Sequence, residues 1–480
     1  MSRRNKSLPL LEQVTIADAG SEGMAVARVD GLVVFVPFVV PGDVVDIQLY
    51  KKKKNYAEGR AVKFHSLSPL RVDPACPHFG TCGGCKWQTL RYEAQLEAKQ
   101  RQVRDALERL GGIDCAGMRP ICGSERIYHY RNKLEFTFST RAWRTQEELA
   151  QAETLPEGAL GFHIPQLFDK VLNIEQCALQ EEPSNAIRLA IRDFARQHEL
   201  PFYDIRNHTG LLRNVIIRNS SLGHWMVILV VAGDPQPVFP MLDMLHERFP
   251  QITSLQYIVN TKMNDSYSDL EVHTYLGDDH IEEEMEVGIA GQTVTNPRHL
   301  HFIINPKSFY QTNSRQAQRL YSYVAELAEL QPTDTLYDLY TGTGTIALFL
   351  AAQVKKVVGI EYVEEAIADA RINAQRNGFS NTVFYAGDMA RVLTSEFIAA
   401  NGRPDVVVTD PPRAGMHESV VQQLLATAPR KIVYVSCNPA TQARDLHLLA
   451  ERYDVRRIQP VDMFPHTQHV ENIAELILRD

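Results

Sequence analysis

Between residues 9 and 64 the chain alternates short apolar runs with glycine and aspartate. The runs at 24–29, 32–38 and 43–49 are separated by Gly31 and Gly42, with Gly20 and Gly23 just ahead of them. Apolar runs this short and this evenly spaced predict the strands of a small β-barrel. Residues 65–88 are rich in Pro, Gly and Cys, so no regular element fits there. Residues 90–110 take up helical periodicity with many charges and stop at Gly111-Gly112, a good C-terminal signal. From about 120 to 300 the pattern mixes. Strand-like runs begin at Lys133, Leu212 and Trp225, and helical stretches cover 184–199 and 238–249. This mixture predicts an α+β domain built on an antiparallel sheet.

After residue 310 the rhythm becomes strand–helix alternation. Strand-like runs start at Thr335, Lys356, Val383, Asp405 and Lys431, with helical patterns at 345–352 and 363–377 between them. Apolar strands separated by helices predict a doubly wound parallel sheet that binds ligands at its carboxyl edge. The expected fold class is therefore α/β and β. A small β-barrel would span 1–66, a central α+β domain 67–305, and a Rossmann-like domain 306–480.

Composition narrows this picture. Of 480 residues, 44% are hydrophobic and 22% charged, a globular profile. No apolar run approaches the roughly 20 residues a membrane helix needs, and the charged N-terminus leads into no signal-peptide core. The expectation is a cytoplasmic protein with no membrane association, a monomer with no implied protein partner. The net charge of −8 conceals an asymmetry: residues 1–134 hold 21 Lys+Arg and 14 Asp+Glu, whereas 135–480 hold 29 and 44. A basic N-terminal quarter on an acidic body points to nucleic acid approached from that side.

The segment Asp338-Leu-Tyr-Thr-Gly-Thr-Gly-Thr-Ile sits where the first parallel strand turns into its helix. Gly342 and Gly344 let the backbone come close to a ligand, which alone leaves a dinucleotide open. The register of acids decides. Glu361 ends the second strand, 23 residues after Asp338, where an acid suits ribose hydroxyls. Asp388 follows the third strand and Asp410 the fourth. Any one of them could simply cap a helix. Four together surround a nucleoside with a cationic centre, which fits S-adenosylmethionine and would repel a pyrophosphate.

Asp410-Pro-Pro-Arg413 follows directly, and the fifth strand runs into Ser436-Cys437-Asn438-Pro439. A cysteine at the carboxyl edge of the sheet can act as a nucleophile. C5 of uracil is a poor nucleophile; a thiolate added at C6 makes an enolate whose C5 can take a methyl group. The C5 proton must then leave to a base, and Phe464-Pro-His-Thr-Gln-His-Val-Glu471 offers His466, His469 and Glu471.

With Cys-Asn-Pro, Asp-Pro-Pro-Arg and Pro-His-Thr-Gln-His-Val-Glu in place, the chain resembles the RNA (uracil-5-)-methyltransferase family. Lys307-Ser-Phe-Tyr-Gln-Thr-Asn313 resembles the family's lead-in to its cofactor domain. The resemblance implies that Gln311, Tyr340, Thr345, Glu361, Asp388 and Asp410 bind S-adenosylmethionine, that Cys437 is the nucleophile and that Glu471 is the general base. Thr341 stands where the family often has Cys. Arg413 in place of an aromatic residue after Asp-Pro-Pro argues against an amino-group methyltransferase.

Cys76-x5-Cys82-x2-Cys85 is a tight thiol group in a loop, and Cys177 stands apart. Four thiolates suit zinc or a [4Fe–4S] cluster, and spacing does not decide between them. One short hook rather than two leans toward iron–sulfur, and the family's ribosomal-RNA members carry a cluster with this pattern. Its expected task is structural. Cys115 and Cys122 read as core residues. The barrel with Lys51–Lys54, Arg60 and Lys63 resembles a TRAM domain and implies a basic face for RNA, with Arg131 and Lys133 as further candidates. Phe309 or Phe464 would pack near the target base. Barrel and cysteines together imply 23S rRNA as substrate. A tRNA, or an inactive RNA-binding scaffold, is the alternative.

Overall fold

The computed structural model describes residues 8–150 and 157–479. Five strands, Leu10–Ala19 (β1), Ala25–Val29 (β2), Leu32–Val36 (β3), Val44–Lys52 (β4) and Tyr56–Ser66 (β5), close into a barrel of order β1-β2-β3-β5-β4. Its interior is filled by alternate residues of each strand, among them Val14, Ile16, Ala27, Val34, Val36, Val45, Ile47 and Ala57. This period of two is what a half-buried strand requires. The basic tract straddles the β4–β5 hairpin instead of lying wholly between the strands, so Lys51 and Lys52 belong to β4.

The central sheet has eight strands: Lys133–Ser139 (β6), Ala142–Trp143 (β7), Ala159–Ile164 (β8), Leu167–Asn173 (β9), Leu212–Asn219 (β10), Trp225–Val231 (β11), Ile252–Val259 (β12) and His273–Gly277 (β13), ordered β13-β12-β11-β10-β6-β8-β9-β7. It is mixed, not purely antiparallel: β11 pairs with β12, and β7 with β9, in parallel. The β11–β12 crossover carries the helix Phe239–Arg248, which lets two neighbouring strands run the same way. Next comes a two-stranded antiparallel pair, Ile281–Glu286 (β14) and His299–Ile304 (β15). Its inward residues Ile281, Met285, Leu300 and Phe302 join Ile216, Met226 and Ile228 of the central sheet in one core with Leu320, Val324 and Phe349 from later in the chain.

The last sheet has seven strands: Thr335–Leu339 (β16), Lys356–Glu361 (β17), Thr382–Ala386 (β18), Val406–Thr409 (β19), Lys431–Ser436 (β20), Tyr453–Val461 (β21) and Glu471–Leu478 (β22), in order β18-β17-β16-β19-β20-β22-β21. The first five pair in parallel, and β22 runs antiparallel to both neighbours. The winding direction reverses between β16 and β19, the place where open α/β sheets bind their ligands. The second face of this sheet is covered by Val103 and Leu107 of the helix Tyr92–Gly111 and by Leu446 and Leu449 of the helix Pro439–Leu449. Residues 118–122 continue this attachment through bridges of Met118 and Cys122 to β21. Cys115 and Cys122 are both buried in these cores.

Candidate active site

The turn after β16 is built for close approach. Tyr340, Gly342 and Gly344 all take positive φ, at 64°, 54° and 80°. A Cβ on Gly344 would stand 3.1 Å from the Ala370 methyl and 3.3 Å from the Phe384 ring, so this position needs glycine for space as well as for conformation. Tyr340 is not glycine, and strain of this kind collects where a site fixes its geometry. Glu361 at the end of β17 closes the turn: its carboxylate accepts from Gly342 N at 3.2 Å and from Tyr362 N and Val363 N at 2.8 and 3.1 Å. Asp388 caps the short helix Met389–Val392, accepting from Ala390 N at 3.0 Å. The capping role open to any one acid of the register is realised there, beside the cleft.

Three carboxyls lie deeper. Asp338 is fully buried and accepts from Thr341 Oγ1 at 2.5 Å, while its Oδ1 has no partner. Burial pushes Asp338 up to about 7, and burial with the neighbouring Asp338 charge pushes Asp410 up to about 7. Glu471, buried as the first residue of β22, is held well above the usual carboxylate range by burial and then by Asp410, against the pull of Arg413. Tyr321, from the helix Ser314–Ala328, faces all three acids, and its hydroxyl lies 3.2 Å from Thr345 Oγ1. Gln311 lies just before that helix, and its carbonyl accepts from Asn132 Nδ2 at 2.9 Å.

Cys437 follows directly on β20, and β20 pairs with β22 through Ser436 and Asn472, so the sheet itself brings the Cys437 and Glu471 positions side by side. The thiol is half-buried. Burial pushes it up to about 11, Glu471 and Asp410 push the same way, and Arg413 opposes them. The two loops are tied: Asn438 Nδ2 and Thr441 Oγ1 both donate to the Arg413 carbonyl, at 3.0 and 3.1 Å.

The segment 462–470 is fixed from the far side of the molecule. Lys99 and Asp462 form an ion pair of 2.5 Å with neither side chain exposed. Lys99 Nζ also donates to the Phe464 carbonyl at 3.0 Å, and Tyr92 OH donates to Asp462 Oδ2 at 2.8 Å. His466 takes a positive φ of 66°. Its carbonyl accepts from Lys86 N and Trp87 N, and its own N–H donates to Gln95 Oε1. Its ring stacks on Tyr128 at 4.4 Å. These contacts make His466 a clamp for the loop, not an available base. Burial lowers both His466 and His469 to about 4. Removing one partner of a buried ion pair strands the other charge. Lys99→Met is therefore expected to cost about 3–5 kcal/mol of unfolding free energy. Denaturant melts check it, and a loss under about 1 kcal/mol contradicts it.

Cys76, Cys82, Cys85 and Cys177 line one cavity of about 520 Å³, together with Arg131, Lys133, Phe309 and Thr467. No disulfide joins them. Burial pushes Cys82 up to about 11 and Cys85 up to about 12, and the charges of Cys177 and Cys76 push both the same way. The sequence expectation of a closed metal centre is not met as such: among the described residues, no group of three or more His, Cys, Asp or Glu is arranged to hold a metal ion.

The basic candidates divide. Lys52–Lys54, Arg60 and Lys63 are exposed on the barrel, but Lys51 is paired with Glu58 at 2.6 Å. Arg131 reaches over the Phe464 ring at 5.9 Å. Lys133 is turned inward, with Nζ 3.4 Å from Tyr267 OH, and burial and Arg218 lower it. Phe309 is 70% exposed.

Comparison with known proteins agrees with this geometry. Residues 271–478 match the family model described as tRNA (Uracil-5-)-methyltransferase, and residues 12–62 match the TRAM domain. An uncharacterized RNA methyltransferase of Bacteroides thetaiotaomicron is 54% identical over 464 residues, spanning 96% of this chain and 100% of its own. The chain belongs to the RNA (uracil-5-)-methyltransferase family. Another such relative, from Chlorobaculum tepidum, is 39% identical over 96% of this chain and 95% of its own. Among solved structures, Pyrococcus abyssi tRNA (uracil-54, C5)-methyltransferase in complex with S-adenosyl-L-homocysteine superposes with a TM-score of 0.72 at 28% identity, over 97% of this chain and 100% of that one.

As an RNA methyltransferase the chain is an S-adenosylmethionine-dependent enzyme with an RNA-binding TRAM barrel. Sequence reasoning missed Tyr321 and the Lys99–Asp462 pair. Tyr321 sits on a helix face that reads as plain amphipathic core, and its partners come from other strands. Lys99 and Asp462 are 363 residues apart, and nothing local to either marks the other. No helix is long and apolar enough to cross a membrane among the described residues.

Proposed function

We propose that the enzyme methylates C5 of a uridine through a covalent adduct on Cys437. The observation that carries this reading is the meeting of Cys437 and Glu471 at one end of paired strands, beside the acids of the glycine turn. The Cys437 sulfur adds to C6 of the uracil ring, and the ring electrons move to an enolate. C5 then attacks the cofactor methyl group, forming C5–CH₃ and breaking the sulfonium S–CH₃ bond. The Glu471 carboxylate takes the C5 proton, the C5=C6 bond re-forms, and the Cys437 thiolate leaves.

The electrostatics suit the order of these steps. Gln311, Tyr340, Thr345, Glu361, Asp388 and Asp410 form the cofactor site in this reading. S-adenosylmethionine held by these residues would supply a sulfonium charge; Asp410 and Glu471, which oppose a thiolate at Cys437, would then oppose it less. Methyl transfer discharges that cation. The proton affinity of the carboxyls then rises just when the C5 proton must leave. Binding should also be linked to pH. Asp338 and Asp410, pushed up to about 7, are largely protonated below that pH in the free protein, and a cation prefers them ionised. Affinity for S-adenosylmethionine is expected to rise with pH through about 7 and level off above it, with protons released on binding. Calorimetry in buffers of differing ionisation enthalpy reads this directly; flat affinity from about pH 6 to 8 contradicts it.

Cys76, Cys82, Cys85 and Cys177 would together hold a [4Fe–4S] cluster. What supports this is a set of four unpaired thiols on one cavity, whose buried ionisation needs a cationic partner. The cluster would supply a staple between the 73–88 loop and the central domain. Because Lys86 and Trp87 hold His466, that staple reaches the catalytic loop. Iron-depleted protein is expected to melt earlier and to bind RNA more weakly; correctly folded, fully RNA-binding protein without iron overturns the structural role.

For the substrate, the barrel and cysteines support a uridine of 23S rRNA. A specific observation favours tRNA as the second reading: the archaeal structure that matches along 97% of this chain is a tRNA enzyme, so the barrel alone carries no preference. The test is methylation of transcribed 23S rRNA and tRNA with labelled cofactor, followed by nucleoside mapping. 5-Methyluridine in 23S rRNA is the expected result. Label in tRNA alone selects the second reading, and no C5 label in either RNA overturns the function.

A further inference from the structure

A second cavity, of about 580 Å³, opens on the other side of Arg131 and has no part in methyl transfer as described. Pockets of roughly 300–1,000 Å³ take small organic ligands. Its walls come from residues 124–132, the β10–β11 turn, β14, and the first turn of the helix Ser314–Ala328. Arg131 lines this cavity and the cysteine-side one alike. The partition is one stretch of chain: Phe309 and Thr312 face the first cavity, and Asn313 and Gln316 face the second.

We propose that the second cavity binds an RNA nucleotide neighbouring the methylated uridine, with its phosphate on Arg131 and Arg315 and its base on the amide and hydroxyl floor. This rests on the RNA-uridine reading above. Most of the acids that line the cavity are engaged by other groups. Glu125 pairs with Arg319, and Glu181 pairs with Arg126, each at 3.8 Å, while Glu284 lies 2.9 Å from His299. Buried Glu283 accepts from Ser221 N and Ser314 Oγ at 2.9 and 2.8 Å. Glu286 is exposed at the end of β14, opposite His299. Two guanidinium groups are left for an incoming anion. Arg131 donates to the Lys133 carbonyl at 3.4 Å and lies over the Phe464 ring, with no carboxylate paired to it among the described residues, and exposed Arg315 lies in the first turn of a fifteen-residue helix. The amide-rich end of that helix adds to the attraction for phosphate.

The floor supplies the independent observation. Ser220 lines the cavity at 4% exposure, and its hydroxyl has no hydrogen-bond partner. A buried hydroxyl left unpaired is costly unless a ligand or water meets it. Asn219 and Gln316 also line the cavity as buried amides, held in place by Gln180 and Glu181 and by the Cys122 carbonyl. RNA-binding proteins read single-stranded segments by splaying bases into such polar pockets. Arg131 also lies over the ring of Phe464, in the loop that leads to Glu471, which links this cavity to the reacting site.

Full-length Arg315→Ala and Ser220→Trp test the proposal, using whichever RNA, 23S rRNA or tRNA, the wild-type enzyme methylates. Each variant is expected to raise KM for RNA about tenfold, equivalent to one good contact, while affinity for S-adenosylmethionine and the melting temperature hold. Arg315→Ala should also flatten the salt dependence of RNA binding by about 0.7 in slope, the loss of one single-strand phosphate contact. Wild-type KM for RNA in either variant overturns the subsite. A wild-type enzyme that methylates no uridine overturns the underlying reading instead, so the two failures are distinguishable.

Discussion

Cys437→Ala is expected to abolish turnover, with a loss of roughly 10⁴-fold or more in kcat, and to leave cofactor binding intact. The expectation follows from where the sheet puts the sulfur. Cys437 lies just past β20 at the carboxyl edge, in reach of the Glu471 and Asp410 charges and held by a loop tied to Arg413. Without the thiolate, uracil C5 must attack the methyl group as an unactivated alkene carbon, and positioning alone cannot replace that activation. The thiol is pushed up to about 11, so it is neutral in the free protein at physiological pH. Arming it requires the cationic cofactor, which predicts that adduct formation with RNA depends on bound cofactor. Single-turnover assays with labelled cofactor measure the loss, and a defect under about tenfold contradicts the assignment.

Glu471→Gln acts later in the sequence. Glutamine keeps the size and the hydrogen-bonding capacity of the side chain but cannot accept the C5 proton. Methyl transfer then proceeds and elimination stalls, so a covalent enzyme–RNA species accumulates on ordinary uridine. Turnover is expected to fall about 10²–10⁴-fold, the usual scale of a lost general base. Denaturing gels show the species directly. Turnover at the wild-type rate would move the base elsewhere, with His469 next in line. The surroundings weigh against the histidines: burial lowers both to about 4, and His466 is held by Lys86, Trp87 and Gln95.

The parts of this site that were legible in the sequence are those set by local pattern. A glycine turn after an apolar strand, and acids recurring at strand ends, follow from the βα repeat itself, and the sheet reversal falls between β16 and β19. The barrel was legible for the same reason, since its strands pair with near neighbours. What escaped is what depends on distant chain. β14 and β15 look like part of the central domain, yet they pack in a core with the helix Ser314–Ala328. The mixed character of the central sheet hangs on crossovers that strand patterns do not encode. A lysine in sequence carries no sign of its partner: Lys51 is exposed but pairs with Glu58, and Lys133 reaches Tyr267. The cysteine loop shows the opposite limit, because spacing gathers thiols around a cavity without fixing what they hold.

The most direct test of the account is capture of the adduct. RNA carrying 5-fluorouridine at the methylated position cannot lose its C5 substituent as a proton, so the cycle should stop after methyl transfer. With wild-type enzyme and S-adenosylmethionine, mass spectrometry should find one RNA bound per protein, one methyl group transferred, and the bond on the peptide that contains Cys437. Efficient methylation of ordinary uridine RNA with no adduct on the fluorinated RNA, or an adduct on any other residue, would contradict covalent catalysis by Cys437.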